Sequence, residues 1–153
     1  MSFGLSAFTA PALLATAALG LAAGVGGYAF VYAKGYSYLT DDPAACANCH
    51  VMRGYYDTWA QSPHHAAAGC NDCHTPAGKL AKYLVKAENG FHHSLAFTLG
   101  DFPDQVRARS SSREVVNAQC KHCHAEITRD MTDFGRDGPL DCVRCHESVG
   151  HLR

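Results

Sequence analysis

No Asp, Glu, Lys or Arg occurs between Met1 and Tyr32. Basic residues are not in excess elsewhere: the 153 residues hold 13 Lys and Arg against 14 Asp and Glu, a formal net charge of −1. Such a chain lacks the positive footprint of a nucleic-acid binder, so no nucleic-acid partner is expected. No stretch alternates polar and apolar residues long enough to form a sheet. The expected fold is therefore mainly α with much irregular structure. The length suggests one domain, and a domain this small must bury most of its apolar surface to be stable. A large cofactor would make up much of its interior.

The uncharged run from about Phe8 to Tyr32 is rich in Ala, Leu, Gly and Val. A bilayer core needs about 20 apolar residues in a helix, so the run is long enough to span. It lacks the basic n-region of a secretory signal and exceeds the about 7–15 residues of a signal h-region. An uncleaved N-terminal anchor over residues 1–34 is the reading; the competing one is a signal cut near Val31-Tyr32-Ala33. Gly20 and Gly24 have the spacing that lets a partner helix approach closely. Only Lys34 lies near an end of the span, so loop charge says little about orientation.

What the chain does hold is cysteine. All eight fall in pairs two residues apart, each followed by histidine: Cys46-Ala-Asn-Cys49-His50, Cys70-Asn-Asp-Cys73-His74, Cys120-Lys-His-Cys123-His124 and Cys142-Val-Arg-Cys145-His146. Cys-x-x-Cys-His is the attachment signature of c-type haem. Two thiols at that spacing reach two vinyl groups on one macrocycle edge, and the next histidine points at the iron. Paired Cys-x-x-Cys units also bind zinc or run dithiol chemistry, but neither requires histidine after every second cysteine. Four covalently bound haem c groups are expected, in a domain over residues 35–153. Haem c is attached on the outer face of bacterial membranes. This predicts a single-pass protein of the cytoplasmic (inner) membrane with its haem domain in the periplasm.

The motifs are spaced short, long, short, which suggests two dihaem halves, about 44–100 and 101–153. In the middle segment Leu80, Tyr83, Leu84, Ala87, Phe91 and Leu95 recur at three- and four-residue steps and form one helical face. Lys79, Lys82 and Lys86 form a basic stripe beside it. That stripe is either a solvated face or a contact with anionic headgroups, which attract each nearby Lys by ~1 kcal/mol. Gly100 and Pro103 end the helix. Ser110 to Arg113 reads as a loop.

Four irons need up to four axial ligands beyond the motif histidines. His122 is held too close to its own haem to reach the far side. The remaining candidates are His64 or His65, His92 or His93, and His151. Met52, two residues after His50, is a further candidate, since a thioether is a known axial ligand that raises potential.

The segments SYLTDDPAACANCHVM, YYDTW with SPHH, CNDCHTPAG, KAENGFHHSLAFTLG and CVRCHESVGH resemble the NapC/NirT family of tetrahaem quinol dehydrogenases. Within that family they resemble most the small subunits of cytochrome c nitrite reductases. The resemblance implies Met52 as axial ligand of the first haem, with His50 displaced from iron. It implies His74, His124 and His146 on the other irons. It places His64 distal to the fourth haem, with His65 as the alternative, and His151 distal to the third. It marks Lys86 as a quinol-site residue and sets His93 on the open side of the first haem, where a proton-accepting role is expected. The second haem takes a lysine from the catalytic partner in this family. The sequence stops at Arg153 without the longer tail of some relatives, so no partner contact made by that tail carries over.

The expected function is oxidation of menaquinol, drawn from the menaquinone pool of the bilayer, where the span meets the first haem. Electrons then pass to a separate multihaem nitrite reductase subunit that makes ammonium. The alternatives are a general quinol dehydrogenase feeding other periplasmic reductases and a passive electron-wiring cytochrome.

Overall fold

The computed structural model describes residues 10–131 and 140–152. The chain divides into two compact units, Met1–Tyr36 and Ser37–Arg153. In the first, α1 spans Ala10–Tyr32. It is long and apolar enough to cross a membrane, and none of it is buried against protein. That suits a helix whose apolar groups face lipid, because its backbone is satisfied internally. The predicted span begins two residues earlier, at Phe8 and Thr9, which lie outside the described residues.

The second unit is built from short helices, with no strand among the described residues. After a 3-10 turn over Gly35–Leu39 come α2 (Pro43–Cys46), α3 (Arg53–Ala60) and α4 (Cys70–His74). They are followed by α5 (Lys79–Leu99), α6 (Ser110–Cys123) and α7 (Ala125–Thr128). Each start has a local cause. Asp42 accepts from Ala44 N at 2.9 Å, with Pro43 opening α2; this satisfies an N–H that a helix start leaves orphaned. Asp72, inside the second motif, accepts from Gly69 N at 2.8 Å. Gly100 ends α5 at φ +67, a left-handed cap where glycine carries no Cβ penalty.

Two expectations are corrected. Ser110–Arg113 is the first turn of α6, not a loop. Serine is a modest helix former, but tertiary contacts override it, because Arg113 is anchored to Asp141. The basic stripe of α5 is not a single outward face. Lys82 and Lys86 turn onto Asp41 at 2.6 and 2.8 Å. Lys86 is 5% exposed, whereas Leu80 on the apolar face is 77% exposed. The protein packs against the polar side of α5.

No apolar side chain is buried among the described residues; the buried ones are Thr75 and Lys86. The described residues do not assemble a hydrophobic core of their own. What holds the motifs together is polar contact between segments distant in sequence. α4 packs on α6, α6 packs on the 3-10 turn of the fourth motif (Cys142–Arg144), and α2 packs on both α3 and α4. The α4–α6 contact crosses the boundary between the two predicted dihaem halves.

The fourth motif hangs on Asn117. Its Oδ1 accepts from Cys142 N at 2.8 Å and Val143 N at 3.3 Å, and its Nδ2 donates to Asp141 at 3.0 Å. Arg113 clamps the same carboxylate at 2.7 and 3.3 Å. Asn117→Ala strands those partners and is expected to destabilise the domain by about 1–3 kcal/mol, read as a lower denaturation midpoint of the haem-loaded protein. An unchanged midpoint would show that the network holds nothing. Asn117, then Arg113, holds the Asp141 carboxyl below its usual value of 3.8. A depressed folded value stabilises the fold above the unfolded value. Its contribution is therefore complete above about pH 4 and lost as pH falls through the lower folded value. In Asn117→Ala this acid-side loss should shrink.

Candidate haem and quinol site

The cysteines of successive motifs meet in chain order. The Cys46 and Cys70 thiols hydrogen-bond each other, so that ionising one raises the other. Cys73 lies near enough to Cys123 for a charge there to raise it, although burial raises it more. Cys120 is raised mainly by burial, and hydrogen-bonds Cys142. All eight thiols are free of disulfides. Adjacent motifs are thus neighbours in space, first to second, second to third and third to fourth.

Two histidine pairs stand out. The His74 and His151 rings lie 6.1 Å apart between centroids and 8° from parallel. Those of His64 and His124 lie 6.2 Å apart at 71°. Two imidazoles on opposite sides of one metal ion, with metal–nitrogen bonds of about 2 Å, hold their ring centres roughly 6 Å apart. His64 Nδ1–H donates to Val149 O at 3.1 Å. That leaves Nε2 as the acceptor, as a metal-ligating histidine requires. His151 Nδ1 is buried with no protein partner. Part of the His74 ring faces solvent, yet the protein crowded around it and then His151 hold its imidazole below its ordinary value. His65, the alternative to His64, is exposed and packs edge-on to Trp59 at 5.1 Å.

These contacts differ from the haem-by-haem assignment implied by the resemblance. It set His64 on the fourth haem and His151 on the third; the rings set His64 against the third motif's His124 and His151 against the second motif's His74. The reason is the C-terminal segment. Leu152 N donates to Thr58 Oγ1 at 3.2 Å, and Tyr55 meets the His151 ring edge-on at 5.1 Å. That segment is therefore held against α3. Of the remaining candidates His50, His92, His93, His122 and His146 are exposed, as His74 and His124 are, and Met52 is half-buried.

Around the first motif, Asp41 is a hub. It accepts from Lys82 at 2.6 Å, from Lys86 at 2.8 Å and from Asn71 of the second motif at 3.1 Å. These partners, Lys82 first, hold its carboxyl below the ordinary value. Lys86 also donates to Thr40 O at 2.7 Å and sits 5.5 Å from the Tyr83 ring. Its charge reaches Cys46 of the first motif. His93 is two turns further along α5, with Nδ1 2.9 Å from the Tyr38 hydroxyl. Burial, then Arg109 and His92, holds its imidazole below the usual value. Asp41, Asn71, Asn117 and Tyr38 were not singled out from sequence. Their partners lie 24 to 55 residues away, beyond any spacing rule.

The residues fit haem better than a protein-ligated metal. No group of three or more His, Cys, Asp or Glu among the described residues is placed to hold a metal ion. Haem needs only a thiol pair and two axial groups, which is what the motifs and ring pairs supply. A single apolar helix followed by motifs of this kind defines a membrane-anchored c-type cytochrome. Residues 9–153 match the NapC/NirT cytochrome c family, N-terminal region, and the chain belongs to that family.

It is 37% identical over 137 residues to the cytochrome c-type protein NrfH of Wolinella succinogenes, covering 80% of this chain and 77% of that one. It is also 37% identical over 114 residues to the cytochrome c nitrite reductase subunit NrfH of Nitratidesulfovibrio vulgaris, covering 74% and 70%. Among solved structures it resembles a chain of the cytochrome c nitrite reductase NrfHA complex bound to the HQNO inhibitor. The TM-score is 0.65 with 34% identity, over 92% of this chain and 90% of that one.

Proposed function

We propose that this chain is the menaquinol-oxidising, tetrahaem subunit of a cytochrome c nitrite reductase, anchored in the inner membrane with its haem domain in the periplasm. One observation carries the reading: the likeness to a chain of the NrfHA complex runs over 92% of the sequence. The family match over residues 9–153 takes in the anchor helix and all four haem motifs.

When bound at the Cys-x-x-Cys-His motifs, haem would supply the electron acceptors. The chain's own groups do the rest. Lysine has three ammonium donors. Lys86 gives two to Thr40 and Asp41, which aims the ammonium and leaves one donor for a quinol oxygen. His93, whose imidazole is held below its ordinary value, accepts the quinol's proton. Met52 serves the first iron. The ring pairs support His64 with His124 on the third and His151 with His74 on the second.

The test is purification from native membranes in mild detergent. The expected result is a co-purifying multihaem subunit, with nitrite reduced to ammonium when menaquinol is supplied. A lone cytochrome that passes quinol electrons to several soluble acceptors would overturn the dedicated role.

A further inference from the structure

The segment after the anchor lies along one face of α5. Thr40 and Asp41 meet Lys82 and Lys86, and Tyr38 meets Gly90 and His93. Those α5 positions are four, four and three residues apart and so share a face. A Cβ on Gly90 would lie 3.6 Å from the Tyr38 ring. The ring therefore rests almost on the helix backbone, which brings its hydroxyl within 2.9 Å of His93 Nδ1. Tyr38 is half-buried and lies close enough to Cys49 and Cys46 of the first motif to feel their charge.

We propose that Tyr38 is a positioning residue of the quinol site, which holds the His93 ring and accepts from its Nδ1–H, so that Nε2 presents its lone pair to the quinol. This rests on the quinol-oxidising reading above. A neutral imidazole has one N–H and one lone pair, and which nitrogen carries the proton is set by the partner of the other. With Nδ1–H donating to the Tyr38 oxygen, Nε2 is the acceptor. The phenol stays protonated as a neutral partner, because burial foremost, and then the nearby thiols, raise it to about 12. Burial persists once those thiols are thioethers.

The balance is simple. For each electron that leaves the quinol for the haem acceptor of the Cys46–His50 motif, one quinol O–H bond breaks. One N–H bond forms at Nε2, and that proton then passes to solvent. In that tautomer Nδ1–H donates to Tyr38 in both charge states of the ring, so the ring need not reorient during turnover. The charged groups facing His93 are Arg109, held by Glu88 at 2.9 Å, and His92. Both oppose a charge on His93; the Tyr38 oxygen is what favours one.

The test is Tyr38→Phe in the haem-loaded protein, with a menaquinol analogue as substrate. Expected are a saturating rate lower by about tenfold, the scale of an orienting partner lost from a working histidine, and a KM within about twofold. The acid limb of the pH profile should move to lower pH, because the imidazolium loses its acceptor. HQNO binding by equilibrium dialysis, haem content and dithionite reduction should stay as in wild type. Tyr38→Phe placed on His93→Gln should add nothing further. Wild-type rate and pH limb in Tyr38→Phe would overturn the proposal, as would joint loss of haem and HQNO binding, which marks a purely structural role. A wild-type protein that no quinol reduces would overturn the underlying reading instead, and the proposal with it.

Discussion

Lys86→Leu is expected to lower the rate of reduction by a menaquinol analogue at least about a hundredfold, the usual scale for losing a group that binds a reacting oxygen. Haem content and dithionite reduction should not change. The structure makes this substitution informative. Removing one partner of a buried ion pair is costly when it strands the other. Here Asp41 keeps Lys82 at 2.6 Å and Asn71 at 3.1 Å, and its side chain is 58% exposed. Leucine fills the space of the lysine stem without leaving an unpaired buried carboxylate. A fold defect and a site defect are thus separable: loss of haem with loss of rate marks the first, loss of rate alone the second. Unchanged quinol kinetics would remove Lys86 from the site.

His64→Ala is expected to convert one haem fully from low spin to high spin, seen by electron paramagnetic resonance, with added imidazole restoring the low-spin signal. His65→Ala should leave the spectrum intact. His64 Nδ1 is engaged by Val149 O at 3.1 Å, and its ring lies 6.2 Å from that of His124; His65 packs on Trp59 instead. A neutral imidazole anchored through one nitrogen offers the other to a metal. On the proposed pairing, in which these two histidines serve one iron, His124→Ala should perturb the same signal. If His65→Ala and not His64→Ala changes the spectrum, the ring pairing is wrong.

Much of this protein was legible in one dimension. The uncharged run marked α1 to within two residues of its described start, because a bilayer demands length and apolarity and little else. Cys-x-x-Cys-His marks haem attachment, since thiols and histidine must reach one macrocycle from consecutive turns. The three- and four-residue steps from Leu80 to Leu95 marked α5, and Gly100 its end. Family membership followed from the same segments.

The rest depended on contacts that spacing does not encode. Periodicity drew Lys79, Lys82 and Lys86 as one outward stripe, but the apolar face of α5 is exposed and its lysine side is packed. Asp41, 45 residues before Lys86, supplies the charge that makes burying a lysine tolerable. Serine propensity read Ser110–Arg113 as a loop, and the Arg113–Asp141 clamp overrode it. His64 and His65 are equivalent in sequence; a carbonyl 85 residues away chose between their surroundings. Local chemistry determined by itself where the long apolar helix lies, where the Cys-x-x-Cys-His motifs fall and which family this is, because each needs only neighbouring residues. Tertiary structure alone decided which histidines face each other and which groups surround Lys86 and His93. Those depend on chain segments brought together across long loops, at distances no local pattern specifies.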